Sequence, residues 1–271
     1  MNSIVNKGTA LITGASTGIG AQYAQRLAER GYDLVLVARN RERLDAIARR
    51  IADATQRSVE VLVADLADGA SLAGVETRLQ SDASITLLVN NAGVAAAAPL
   101  LNSDVEQMQA MIALNVNALM RLSYAAAPGF VARARGAIIN ISSVVAVIPE
   151  MLNGVYGASK AFVLAFSQSL RHELSDKGVI VQVVLPGATR TALWERAGVD
   201  IATLPQNIVM EAGAMVDAAL AGYDIGEFVT VPSLPESADW NAFEAARQAL
   251  RPNLSRATPA RRYGIAAKVA A

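Results

Sequence analysis

The chain has 271 residues, no cysteine, one histidine, and 24 basic against 24 acidic side chains. The missing cysteines exclude disulfides, thiolate metal sites and cysteine nucleophiles, and the balanced charge excludes a whole-chain basic footprint for nucleic acid. At 53% hydrophobic and 18% charged residues the chain can bury a sizeable core, which excludes global disorder.

Taken in order, Thr9 to Thr13 reads as a buried strand that runs into glycines, followed by a helix over 18–30 that Gly31 closes. Asp33 to Ala38 is a second strand and 41–54 a second helix; Val59 to Ala64 is a third strand and 70–81 a third helix. Ile85 to Val89 is a fourth strand, and a long helix is predicted over 104–127. Ala137 to Ile141, a helix over 155–176 and Val179 to Leu185 follow, then a helix over 207–221 and a strand over 228–231. Near-continuous apolar strands separated by helices predict a doubly wound, mostly parallel seven-stranded α/β sheet with helices on both faces. From Pro232 the pattern weakens to one helix over 237–249 with irregular flanks. No apolar run reaches 18 residues, so no membrane span is expected, and Met1 to Gly8 lacks the features of a secretory signal, so cytoplasmic residence is expected. No metal site is expected. His172 reads as a surface or interface histidine.

Residues Thr13-Gly14-Ala15-Ser16-Thr17-Gly18-Ile19-Gly20 lie where the first strand turns into the first helix. Glycines there permit a tight turn and close approach of backbone to a pyrophosphate, and the helix start points unpaired N–H groups at it. The bland alternative is a glycine-rich turn that binds nothing. The second strand ends at Arg39, with no carboxylate to hold a ribose 2′-hydroxyl, so a 2′-phosphate and hence NADP(H) is favoured, NAD remaining possible. Asp65, followed by Leu66 at the end of the third strand, is placed either to reach the adenine edge or to cap the next helix. Ser142 and Ser143 end the fifth strand, and Tyr156 and Lys160 stand one turn apart on the next helix. A free phenol is too weak an acid for catalysis at neutral pH, and an adjacent ammonium together with a positively charged nicotinamide ring is expected to lower its pKa.

Together, Thr13-Gly14-x-x-x-Gly18-x-Gly20, Asn90-Asn91-Ala92-Gly93, Asn115, Ser143, Tyr156-x-x-x-Lys160 and Pro186-Gly187 with Thr191 resemble the short-chain dehydrogenases/reductases over residues 8–231. The resemblance implies an NAD(P)-dependent oxidoreductase acting on a carbonyl or secondary alcohol. Tyr156 would be its general acid/base, Ser143 the polarising donor, Lys160 the ligand of the nicotinamide ribose, and Asn115 the holder of a relay water. It implies cofactor contacts at Gly14, Ser16, Thr17, Gly18, Ile19, Gly20, Arg39, Asp65, Leu66, Asn91, Ala92, Gly93, Tyr156, Lys160, Pro186, Gly187, Thr189 and Thr191. Tyr and Lys four apart, with Val163 in place of a later lysine, separate the chain from enoyl-thioester reductases of the family. The expected organisation is a single dinucleotide-binding and catalytic domain over 1–271, with a substrate loop at 188–210 and a C-terminal extension at 232–271. That extension is expected to cover a neighbouring subunit or the site. Pocket stretches Val94–Leu101, Val144–Val155 and Ala188–Met210 are mostly apolar, which implies a hydrophobic small-molecule ketone or alcohol. Ala95 to Ala98 leave room for a bulky group. The two long helices resemble those that pair subunits into homodimers or homotetramers. An NAD-dependent alcohol dehydrogenase and a non-catalytic nucleotide-binding protein are the competing readings.

Overall fold

A computed structural model of the chain describes residues 7–265; most of the N-terminal stretch read for a signal, residues 1–6, lies outside the described residues. Strands β1 (Thr9–Thr13), β2 (Asp33–Ala38) and β3 (Val59–Val63) alternate with helices α1 (Gly18–Glu29), α2 (Arg41–Thr55) and α3 (Gly69–Ser81). Next come β4 (Ile85–Asn90), α4 (Val105–Ile112), a π-helical stretch over Ala113–Ala118, α5 (Leu119–Ala132), β5 (Gly136–Ile141), α6 (Gly154–Leu174) and β6 (Val179–Val184). The short elements β7 (Thr189–Arg190), α7 (Leu193–Arg196) and β8 (Met210–Glu211) precede α8 (Ala212–Asp224) and β9 (Val229–Thr230). Seven strands form one parallel sheet in the order β3-β2-β1-β4-β5-β6-β9. The order reverses between β1 and β4, and in doubly wound sheets ligands bind at that point, beyond the strand C-terminal ends.

Alternation along each strand fills both faces. Ala10 and Ile12 of β1 pack with Tyr23, Leu27, Leu44, Ile51 and Met215 of α1, α2 and α8; Leu11 between them faces the opposite way, onto Leu72, Leu79, Leu122 and Leu170 of α3, α5 and α6. This two-sided burial is why the strands read as unbroken apolar runs rather than alternating ones. Among the described residues no helix is long and apolar enough to cross a membrane.

Two elements differ from the sequence expectation. The predicted helix over 104–127 is interrupted by a π-helical stretch that contains Asn115, and it continues through Pro128 to Ala132. Burial of Phe130, against which a side chain on Gly136 would collide, outweighs the missing proline N–H. The predicted helix over 207–221 begins only at Ala212, because β8 pairs with β7 and the Met210 N–H donates to the Ala188 carbonyl (2.8 Å). The chain divides at Pro232/Ser233 into two compact units, at the start of the expected C-terminal extension. The second unit carries α9 (Ser237–Ala249), whose Trp240 and Phe243 rings lie 5.2 Å apart.

Candidate active site

The glycine turn is held in place by neighbours at the switch point. Gly14 and Gly18 have φ of +66° and +55°, a region that disfavours side chains. A Cβ on Gly14 would lie 2.8 Å from Asn91 Nδ2 and 2.9 Å from Ala92 Cα, and one on Gly20 would collide with the Gly14 carbonyl. The backbone therefore closes tightly around an open face. Ser16, Thr17, Gly18 and Ile19 remain partly exposed there. Thr17 opens α1 without a side-chain cap, and the first turn carries no acidic residue, so the helix start keeps unpaired donors and its positive dipole end. That is the chemistry of a pyrophosphate cradle, and the residues fit a dinucleotide. Asn91 is a clip: its Nδ2 donates to the Thr13 carbonyl (2.9 Å), while the N–H groups of Asn91 and Ala92 donate to Thr13 Oγ1 (2.9 and 3.0 Å).

At the ends of β2 and β3, Arg39 is 70% exposed and its guanidinium stands 3.7 Å from the Asp65 carboxylate. Asp65 also accepts from the Ala67 N–H, and the α3 cap belongs to Asp68, which accepts from Ser71 (2.8 Å). The capping role considered for Asp65 thus falls three residues later. Leu66 is buried beneath this edge and Ala92 packs against the same cluster. On the far side Pro186 and Thr189 are buried, and Thr189 Oγ1 donates to the Gly187 carbonyl (3.1 Å). A Cβ on Gly18 would meet the Thr191 side chain at 3.0 Å, so the loop after β6 reaches the glycine turn.

The structure gathers Asn115, Ser143, Tyr156 and Lys160 at the C-terminal ends of β4 and β5. Asn115 Oδ1 accepts from the Val94 N–H and its Nδ2 donates to the Val94 carbonyl (both 2.9 Å) and to Ser159 Oγ (3.2 Å). The π-helical turn places this amide inward, where it fastens the loop after β4 to α6. A Cβ on Gly93 would lie 3.1 Å from Asn115 Oδ1 and 3.6 Å from Lys160 Nζ, so a side chain there would press on the Asn115 amide. Lys160 is 6% exposed, and its amine donates to the Ile141 carbonyl (3.0 Å). Ser142 Oγ donates to the Lys160 carbonyl (2.7 Å), which fixes this turn of α6 to β5.

Of the two contributions expected to make the Tyr156 phenol acidic, the one from the protein's own ammonium is not found: burial pushes the phenol pKa up, and only its interaction with Ser143 works the other way. Tyr156 is 5% exposed, so the phenolate would be poorly solvated. The amine expected to stabilise phenolate is turned to the Ile141 carbonyl, 5.9 Å from the Tyr156 ring centroid. Tyr156 is consequently a protonated phenol at neutral pH.

Residues 8–201 match the family model described as short chain dehydrogenase. The chain belongs to the short-chain dehydrogenase family. It is 36% identical over 197 residues to 17-beta-hydroxysteroid dehydrogenase type 3 of Homo sapiens, a match that covers 72% of this chain and 63% of that protein. The chain therefore spans less than two thirds of the length of that curated relative. Among solved structures, the short-chain dehydrogenase from Sphingobium yanoikuyae in complex with NADPH superposes with a TM-score of 0.91 at 52% identity, covering 93% of this chain and 98% of the other. The bulky-bulky ketone specific alcohol dehydrogenase from Comamonas testosteroni does so with a TM-score of 0.88 at 44% identity, covering 96% and 99%.

Two residues of this short-chain dehydrogenase site escaped the sequence reading. Asn153 caps α6, and Ser159 bridges Asn115 to the Tyr156 carbonyl (2.8 Å). An asparagine just ahead of a helical pattern is a capping signal, so Asn153 was findable; nothing local marks Ser159. His172 lies exposed on α6, as expected.

Burial pushes the Lys160 amine down from 10.5 to about 8. Between those values the unfolded chain binds more protons than the folded one, so this group makes stability rise with pH over that interval, with no contribution to the slope below it. Urea unfolding of the cofactor-free protein at about pH 7.5 and about pH 10 should show wild type gaining roughly 2 kcal/mol over Lys160→Met. A flat or falling difference contradicts a buried, desolvated amine.

Proposed function

We propose that the chain is an NADP(H)-dependent carbonyl reductase, acting on hydrophobic ketones with bulky groups on both sides and on the corresponding secondary alcohols in reverse. The observation that carries the reading is a buried Tyr156 whose phenol is influenced by Ser143, one helical turn from the buried Lys160, with a glycine turn suited to a pyrophosphate at the same sheet edge. A phenol held in its acid form can give a proton, so the resting site suits ketone reduction.

When bound, the reduced nicotinamide supplies the hydride. The start of α1 and its glycine turn would hold the pyrophosphate, Arg39 the 2′-phosphate and Lys160 the ribose hydroxyls. Ser143, whose present bond to the Pro186 carbonyl is long at 3.4 Å, would turn its hydroxyl to the ketone oxygen. Tyr156 donates its proton to that oxygen as negative charge develops on it. Lys160, still mostly an ammonium at neutral pH, would favour the transient phenolate only by turning its amine from the Ile141 carbonyl toward the phenol.

The substrate class is supported by the pocket. Val94, Ala95, Ala96 and Leu152 pack with Met108, Met111 and Val145 against Tyr156, an apolar wall in which the alanines leave the most space. The neighbour at 44% identity is described as specific for bulky-bulky ketones, and the one at 52% holds NADPH. A panel of small and bulky ketones, followed by absorbance of the reduced nicotinamide with NADPH and then NADH, tests the reading. Turnover of bulky ketones with NADPH is expected; equal or better rates with NADH would favour the NAD-dependent alternative.

Assembly through α5 and α6 belongs to the same proposal. Tyr124 stacks on Phe166 and Phe166 on Phe162 (centroids 6.2 and 5.6 Å), and Tyr124 is largely exposed. Such an aromatic ribbon suits a subunit interface. A solution mass equal to one chain would refute it.

A further inference from the structure

We infer that Asn153 is a positioning and specificity residue, pinning the Ala95–Ala98 wall of the pocket to the start of the catalytic helix. The inference rests on the ketone-reductase reading and says what sets that site's preference for bulk. Asn153 is 3% exposed, and both ends of its amide are engaged. Its Oδ1 accepts from the Val155 and Tyr156 N–H groups (2.9 and 3.4 Å), which starts α6 and sets the backbone of the proton donor. Its Nδ2 donates to the Ala98 carbonyl (2.6 Å), and its own N–H donates to the Ala96 carbonyl (3.3 Å).

The wall itself has little with which to hold its place. Four consecutive alanines offer only methyl groups, and Pro99 and Leu100 beyond them are exposed. The segment therefore depends on backbone partners at its two ends. Asn115 fastens Val94 at one end; at the other the Asn153 side chain fastens Ala98, while the bond to Ala96 comes from the backbone of residue 153 and stays in any variant there. Small side chains make the space, and the two asparagines fix where its boundary lies. A bulky ketone reaches that boundary and loses contacts when it is loose. A small ketone sits at Ser143 and Tyr156 without touching it.

The two ends of the amide separate the two roles. Asn153→Asp keeps an acceptor for the helix N–H groups but sets a carboxylate oxygen against the Ala98 carbonyl. Asn153→Ser also keeps a capping oxygen and is too short to reach Ala98, so it serves if the aspartate variant does not fold. Either variant should lower the ratio of kcat/KM for benzophenone to that for 2-butanone about tenfold, chiefly through KM for benzophenone. Amide hydrogen exchange of residues 94–101 should quicken at least about fivefold, with 154–162 unchanged. Asn153→Ala, which loses the cap as well, should also lower kcat for both ketones. An unchanged ratio in an active variant, or unchanged exchange of 94–101, overturns the pin. Wild type that reduces neither ketone means that the parent reading has failed, and the exchange measurement on the folded protein still decides whether Asn153 holds the wall.

Discussion

Tyr156→Phe is expected to lower kcat for ketone reduction about a thousandfold while leaving NADPH affinity within about threefold. In the proposed reaction the phenol oxygen protonates the reacting carbonyl, and a positioned general acid contributes on the order of 10²–10⁴ in rate. Phenylalanine preserves the ring, its packing against Met108, Met111 and Val145, and the helix that carries Lys160. The loss should fall on kcat rather than on binding, because the proton moves only as charge develops on the ketone oxygen. Nicotinamide fluorescence titration reads the affinity and a steady-state assay the rate. A variant that keeps more than about a tenth of wild-type kcat would remove Tyr156 from the proton-donor role.

The second large effect is at Arg39. Arg39→Asp should lower kcat/KM with NADPH about a hundredfold and raise it with NADH, reversing the order of preference. Arg39 is the cation at the tip of β2, and it stands 3.7 Å from Asp65. That carboxylate orients the guanidinium and partly neutralises it. Replacing Arg39 by aspartate would remove the proposed partner of a 2′-phosphate and leave two carboxylates at the same edge. Even at a surface position, with charges a few ångströms apart, that reversal costs roughly 3 kcal/mol. The new carboxylate can accept from a ribose hydroxyl, but Asp65 beside it resists a second negative charge, so the gain with NADH should be smaller than the loss with NADPH. KM should carry the change, since the phosphate lies far from the reacting carbon. Equal losses with both nucleotides would mean that Arg39 supports the fold of the edge instead of choosing the cofactor.

Much of this architecture was legible in the residues. Strands such as DLVLVA and AIINI are buried on both faces, so their apolar runs admit few other readings, and each falls within a residue or two of its expected place. The glycine turn was legible because steric need is local: no side chain fits at Gly14 or Gly20 whatever the ligand. What stayed hidden depends on tertiary partners. The π-helical turn at Asn115 leaves the spacing of apolar residues helical, and only a poor helix former at 115 hints at it. Residues 206–211 look periodic, yet Met210 is taken by the Ala188 carbonyl. The Tyr–Lys spacing, with a cationic nicotinamide ring, points to an acidic Tyr156 phenol. Spacing does not tell where the lysine amine points, and the Ile141 carbonyl claims it.

Hydride transfer into a ketone is the claim on which the rest depends, and isotope transfer reads it without reference to any variant. NADPH, or NADH in a second run, carrying deuterium at both positions of the reactive nicotinamide carbon and incubated with a bulky ketone and the full chain, should give an alcohol with deuterium on its carbinol carbon, seen by NMR. An alcohol that forms without the label, or no alcohol from either labelled nucleotide across the ketone panel, contradicts the account.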